Sequence, residues 1–151
     1  MHSYRERLSV PVMWWVLAVV CVALLGSEVW AGLGGFIPVI TYVVLALIVG
    51  AVLVNWSTAV IEVTGGALRA GRATLPLDKA GEVVALDEEQ AARLRGPRAD
   101  PAAHLLLRPY LKRAVYIEVA DPAGGVPYWL LATRRPDELA AAIQRSHESV
   151  G

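Results

Sequence analysis

The sequence predicts an α+β protein: an N-terminal hairpin of two apolar helices, then a small antiparallel β-barrel or sandwich capped by a C-terminal helix. Three observations predict it. From Leu8 to Trp56, Glu28 is the only Asp, Glu, Lys, Arg or His in 49 positions. After Trp56 the hydrophobic period shortens to two and glycine pairs punctuate it, as in short paired strands. From Pro136 the period lengthens to that of an amphipathic helix.

The apolar third is read as membrane-spanning. Overall the chain is 56% hydrophobic and 19% charged, against roughly 45–50% and about 25% in ordinary globular domains. That excess lies in two runs, Val10–Gly26 and Leu33–Val54. A span needs roughly 20 apolar residues. Pro11 and Pro38 suit first helical turns, and the Thr41 hydroxyl can bond back to its own helix. Trp14 and Trp15 at one end, with Trp30 and Trp56 at others, suit interfacial belts. Ser27–Gly32 is expected to be the tight connection. Arg5 and Arg7 with Val29-Trp30-Ala31 also fit a cleaved signal sequence, but the long apolar core and the second span favour a retained helix. The organisation read from the sequence is residues 1–9 as a cytoplasmic flank, 10–56 as a transmembrane hairpin and 57–151 as a cytoplasmic domain.

Orientation follows from the flanking bases. Arg5 and Arg7 precede the first span, Arg69 and Arg72 follow the second, and the connection has no Lys or Arg. The positive-inside rule then puts both termini in the cytoplasm, in a two-span protein of the cell membrane. Two readings stand for Glu28, an intramembrane proton or ion site or a residue solvated at the headgroups. Ala46 and Gly50, four apart, suit close helix packing, either within the hairpin or with another helix.

Each element beyond Trp56 has its own local cause. Residues 58–64 alternate as a half-buried strand, and Gly65-Gly66 makes a hairpin turn. Ala67–Ala70 returns, Gly71-Arg72 turns, and Ala73–Leu77 follows, with Pro76 marking an edge or bulge. Gly81–Leu86 is a fourth strand. Asp87 caps a short helix through Leu94, which Gly96-Pro97 stops. His104–Leu107 is a brief strand. Residues 114–119 and Tyr128–Thr133 are two strong strands around a hairpin loop at Asp121–Gly125. Pro136 opens a helix reaching about Glu148, with Leu139 and Ile143 on its buried stripe. The whole reads as a meander of six or seven strands closed by one helix.

Several short motifs carry a resemblance. V-T-G-G-A-L-R-A-G (Val63–Gly71), L-P-L-D (Leu75–Asp78) and T-R-R-P-D-E-L (Thr133–Leu139) resemble a bacterial pleckstrin-homology-like domain. Y-R-E-R-L (Tyr4–Leu8), the tryptophan-rich first span, R-G-P-R-A-D-P (Arg95–Pro101), R-P-Y (Arg108–Tyr110) and P-Y-W-L (Pro127–Leu130) resemble the domain-of-unknown-function 3093 family. The resemblance covers nearly the whole chain. It implies a small membrane protein with two N-terminal spans and a bent barrel of two antiparallel sheets, helix-capped. It transfers no activity, substrate or catalytic residue.

The chemistry-bearing residues point away from catalysis. The sequence has no G-x-S-x-G, P-loop or G-x-G-x-x-G, and no helical spacing for a metal among His2, His104 and His147. Cys21, the single cysteine, lies in an apolar run. The reading is therefore non-enzymatic, with no cofactor, no metal and no nucleic-acid partner. Twelve bases and twelve acids lie beyond Trp56, and arginine dominates the bases. Arg69, Arg72, Arg95, Arg98, Arg108, Arg134 and Arg135, with Asp100 and Tyr110, are the candidate docking residues. Two readings stand for them. Guanidinium forks bind phosphate or carboxylate at two points, which suits anionic lipid headgroups or a partner protein. Alternatively they pair internally with Asp78, Glu82, Asp100, Asp121 and Asp137. Arg98 and Asp100, in a loop stiffened by Pro97 and Pro101, are read either as a docking pair or as an internal salt bridge. The expected partners are the bilayer with anionic headgroups or another membrane protein. The runner-up function is an accessory subunit docked through the hairpin.

Overall fold

The computed structural model describes residues 2–97, 99–120 and 125–150. Arg98 and most of the expected loop at Asp121–Gly125 lie outside them. The chain forms two compact units: Met1–Leu8 with Ala59–Gly151, and Ser9–Thr58.

The smaller unit is a helical hairpin, α1 (Val12–Gly32) and α2 (Ile37–Ser57). Each has 21 residues and is long and apolar enough to cross a membrane; at ~1.5 Å per residue this matches a hydrocarbon core of about 30 Å. The connection is not Ser27–Gly32 as expected. Ser27, Glu28, Val29, Trp30 and Ala31 all tolerate helix, so α1 runs through them and Leu33–Phe36 makes the turn. Ser27 Oγ bonds back to Leu24 O at 2.7 Å, which satisfies its hydroxyl inside the helix. Thr41 Oγ1 likewise donates to Ile37 O at 2.9 Å, and Pro38 occupies the first turn of α2. The helices touch most closely at Gly26: a Cβ there would lie 2.0 Å from the Tyr42 ring. Gly50, by contrast, has open space around its Cα, so the close approach within the hairpin belongs to Gly26. Trp14 and Trp56 meet edge-to-face at 6.3 Å.

The larger unit stacks two four-stranded sheets. Sheet A, in the order β1-β2-β3-β4, comprises β1 (His2–Arg7), β2 (Val60–Thr64), β3 (Ala67–Ala70) and β4 (Ala73–Pro76), all antiparallel. Gly66, at φ 149°, supplies the turn backbone between β2 and β3 that a side chain would strain. Pro76 ends β4 on the sheet edge, where its missing N–H costs no ladder bond. Sheet B has the order β5-β7-β8-β6, from β5 (Ala80–Leu86), β6 (His104–Leu106), β7 (Ala114–Val119) and β8 (Tyr128–Ala132). Asp87 caps α3 (Glu88–Arg95) in a reciprocal capping box with Gln90. α4 (Pro136–Val150) buries Leu139 and Ile143 completely.

Two expectations need correction. The sheets do not close into a barrel. A turn of 3-10 helix at Leu77–Lys79 breaks the ladder between β4 and β5, and α4 packs against both β5 and β1, where strand pairing would be needed for closure. Nor is sheet B a pure meander, because β6 pairs parallel to β8, with His104 opposite Trp129. Between the sheets lies one core, in which Ile61, Val63 and Leu68 meet Val115, Ile117 and Leu131, closed over by α4. A smaller cluster of Leu86, Ala91, Ala114 and Leu130 seats α3 on the other face of sheet B.

Alternation in Tyr4–Leu8 explains why the segment before α1 becomes a strand. Tyr4, Glu6 and Leu8 are buried, while Arg5 and Arg7 are exposed. Register puts Tyr4 beside Val63 and Glu6 beside Ile61, so all three inward positions join the core face. Leu8 N–H donates to Ala59 O at 2.9 Å, which continues the ladder beyond Arg7. The apolar hairpin is therefore an insertion between two paired strands of one sheet.

Candidate functional site

The site begins with an acid on the wrong face of a strand. Glu6 is only 5% exposed, because its position in sheet A points inward. Burying a carboxylate is costly unless it is hydrogen-bonded, and three donors meet this one. Tyr4 OH donates to Oε2 at 2.7 Å, Thr133 Oγ1 donates to the same oxygen, and the Arg134 backbone N–H donates to Oε1 at 3.0 Å. Arg135 N–H donates in turn to Thr133 Oγ1 at 3.1 Å. The Tyr4 phenol is pushed up to about 12, first by burial and then by its bond to Glu6. The Arg135 guanidinium lies over the Tyr4 ring at 5.2 Å and pairs with Glu138 at 3.1 Å.

Beside this network, the β6–β7 connection adds a second tyrosine. Tyr110 OH donates to Leu8 O at 2.9 Å, the carbonyl at which the chain leaves this unit for the hairpin. Arg134 lies over the Tyr110 ring at 6.0 Å and donates through Nη1 to Arg7 O at 3.4 Å. Burial pushes the Tyr110 phenol up, while the charges of Arg108 and Arg134 hold it back. Of the candidate residues, Arg108, Tyr110, Arg134 and Arg135 are thus brought together. Three of the short motifs, Tyr4–Leu8, Arg108–Tyr110 and Thr133–Leu139, converge here.

Arg72 joins them by register. β1 ends and β3 ends at the same end of sheet A, and Gly71 N–H donates to Val60 O at 2.9 Å. The exposed Arg72 in the β3–β4 turn therefore shares a sheet end with Arg7 and Leu8. Arg69 sits elsewhere, in an outward row with Arg5, Glu62 and Thr74.

The remaining candidates are used internally. Arg95 Nη2 donates to Leu111 O and Lys112 O, both at 2.9 Å, and ties the end of α3 to the β6–β7 connection. Burial lowers its pKa. Asp100 Oδ1 accepts from Ala102 N–H at 2.9 Å, and Asp100 N–H donates to Tyr128 OH at 3.0 Å, so Asp100 organises its own loop. The pairing of Asp100 with Arg98 lies outside the described residues. His104 is half-buried against Trp129 at 4.4 Å, and burial lowers its pKa. Among the described residues, no group of three His, Cys, Asp or Glu side chains could hold a metal ion.

Sequence reasoning missed Tyr4, Glu6 and Thr133, together with Lys112. For Glu6 a signal exists: it occupies the inward phase between Tyr4 and Leu8, with arginines in the outward phase. No local pattern marks Thr133.

Neither a curated protein nor a solved structure matches the chain. The model of one family, described as Protein of unknown function (DUF3093), matches residues 3–143. That match takes in both apolar helices, both sheets and most of α4, and the chain accordingly belongs to the DUF3093 family.

Proposed function

We propose that this is a non-enzymatic, membrane-tethered interaction module that docks an anionic surface through the arginine-bearing end of its soluble unit. One observation carries the reading: Arg7, Arg72, Arg108 and Arg134 gather at the end of the unit where the chain departs for the hairpin. Covalent connection keeps that end near the bilayer. Only Ser9, Val10 and Pro11 separate Leu8 from α1, and only Thr58 separates α2 from Ala59. Four residue steps reach at most ~14 Å. Bases so placed gain on the order of 1 kcal/mol each from anionic headgroups.

Pairing of β1 with β2 supports the orientation read from the bases, because it requires residues before α1 and after α2 to share one side of the membrane. With Arg5, Arg7, Arg69 and Arg72 flanking the spans, that side is the cytoplasm of a cell-membrane protein. Two packed, largely antiparallel sheets with one C-terminal helix support a pleckstrin-homology-like scaffold, opened by α4.

The test is hydrogen exchange on the full chain in nanodiscs of phosphatidylcholine alone or mixed with phosphatidylglycerol. Segments 5–8, 70–73, 107–113 and 133–135 are expected to gain protection only in the anionic discs, with loss of that gain at high salt. Equal exchange in both discs overturns the reading.

A second reading, an accessory subunit docked through the hairpin, is favoured by an apolar groove of about 370 Å³ lined by Trp15, Ala18, Tyr42, Ala46 and Gly50. Co-purification of one membrane protein with the full chain, abolished by Gly50→Leu, would favour it.

A further inference from the structure

Beside the network around Glu6 lies a polar groove of about 310 Å³, walled by Tyr110–Arg113 from the β6–β7 connection and by Thr133 and Arg134 after β8. Its charge differs from that of the unit around it. Lys112, Arg113 and Arg134 face a single acid, Glu88, whereas beyond Trp56 the chain holds twelve bases and twelve acids. Glu88 is engaged by Lys112 at 3.2 Å, which leaves two guanidinium charges against the one buried carboxylate of Glu6 behind Thr133 and Arg134.

The backbone of the wall is arranged to the same effect. Carbonyl oxygens would repel an anion, and three in this wall are already accepting hydrogen bonds. Arg95 covers Leu111 O and Lys112 O, and Thr133 N–H covers Arg113 O at 3.2 Å. Arg134 is ordered in advance by Arg7 O and by the Tyr110 ring, so less side-chain entropy is lost when it closes on a ligand.

We propose that this groove is an anion site for the phosphate of an anionic phospholipid, a specific subsite within the docking end proposed above and dependent on that reading. A single guanidinium fork satisfies a carboxylate. Two guanidiniums from different segments, with an ammonium beside them, suit the divergent oxygens of a tetrahedral phosphate. The lipid is the source because Tyr110, which lines the groove, is bonded to Leu8 O, four residues from the start of α1. A phosphate plane lies within reach of that tether. At about 310 Å³ the groove sits at the small end of ligand sites, which run from ~300 to ~1,000 Å³. It is large enough for a headgroup.

The experiment uses full-length protein in detergent and native mass spectrometry, with dioctanoyl-phosphatidylglycerol, dioctanoyl-phosphatidylcholine and inorganic phosphate as separate probes. Phosphatidylglycerol is expected to be retained over phosphatidylcholine. Arg113→Gln and Lys112→Gln, both at exposed positions, are each expected to weaken retention roughly fivefold. Arg145→Gln, on exposed α4 surface, is expected to leave it unchanged, with thermal unfolding confirming that all three variants fold. Equal retention of both lipids, or full retention by Arg113→Gln, overturns the site. Inorganic phosphate binding as tightly as phosphatidylglycerol overturns the lipid source. If the anionic nanodiscs still protect segments 5–8 and 133–135 while no lipid is retained, the docking end stands and the groove falls. If protection is also absent, both fall.

Discussion

Glu6 and Thr133 stand 127 positions apart in sequence and share a hydrogen bond in the interior. This bond joins the first strand of sheet A to the first residue after β8, and Tyr4 and the Arg134 N–H complete the carboxylate's partners. It holds β1 against sheet B a few residues before the chain enters the apolar hairpin. The network has direct consequences for stability.

Replacing Glu6 by Ala strands the Tyr4 and Thr133 hydroxyls and the Arg134 N–H, all at or near the interior. The expected loss is about 1–3 kcal/mol, since orphaned buried donors cost their full desolvation. Thermal unfolding of the full chain in detergent reads it. Because both residues act on one oxygen, Glu6→Ala and Thr133→Val should be less than additive in a double-mutant cycle; strict additivity would show that the bond contributes nothing.

Tyr4 makes the same region sensitive to alkali. Its pKa rises from 10.0 unfolded to about 12 folded, so the native state holds the proton more tightly. The stabilisation is complete below pH 10.0 and is lost as pH climbs toward about 12. Denaturation curves across this window should steepen for the native chain, and Tyr4→Phe should flatten the dependence.

His104 responds at the opposite end of the scale. Burial against Trp129 lowers its pKa below 6.5, so the folded state prefers the neutral ring. Its contribution is present above pH 6.5 and declines as pH falls through the folded value. An NMR titration of the imidazole should give a midpoint below 6.5.

Arg95 is expected to resist conservative replacement. Its Nη2 donates to two carbonyls, at Leu111 and Lys112, from a half-buried position. Arg95→Lys offers the same two carbonyls a shorter stem and a more strongly hydrated ammonium. Both Arg95→Lys and Arg95→Ala should lower stability by about 1–2 kcal/mol, and hydrogen exchange at residues 111–114 should rise.

In the hairpin, Gly26→Ala would put a methyl 2.0 Å from the Tyr42 ring. The ring must move, and its hydroxyl leaves Ala23 O, now at 3.4 Å. A loss of about 1–3 kcal/mol follows from overpacking, read as lower thermal stability in detergent. Tyr42→Ala in the same chain should restore part of it; no recovery would locate the strain elsewhere.

By itself the sequence determined what depends on near neighbours. The apolar runs of α1 and α2, the Asp87 cap, the glycine turns and the period-two strands are each written within a few residues, since propensity and capping are local. Only the extent of α1 escaped, because Ser27–Ala31 permits helix without demanding it. The tertiary structure decided everything that joins distant segments. That Tyr4–Leu8 is a strand of the soluble unit, that β6 lies parallel to β8 and that α4 keeps the sheets open depend on contacts between segments well separated in the chain. The arginines show the difference most plainly. All were visible as candidates, but Arg95 turns inward to backbone carbonyls while Arg108 and Arg134 gather beside Leu8. Composition counts charges; only packing sets which of them lie at the end of the unit where the chain leaves for the hairpin.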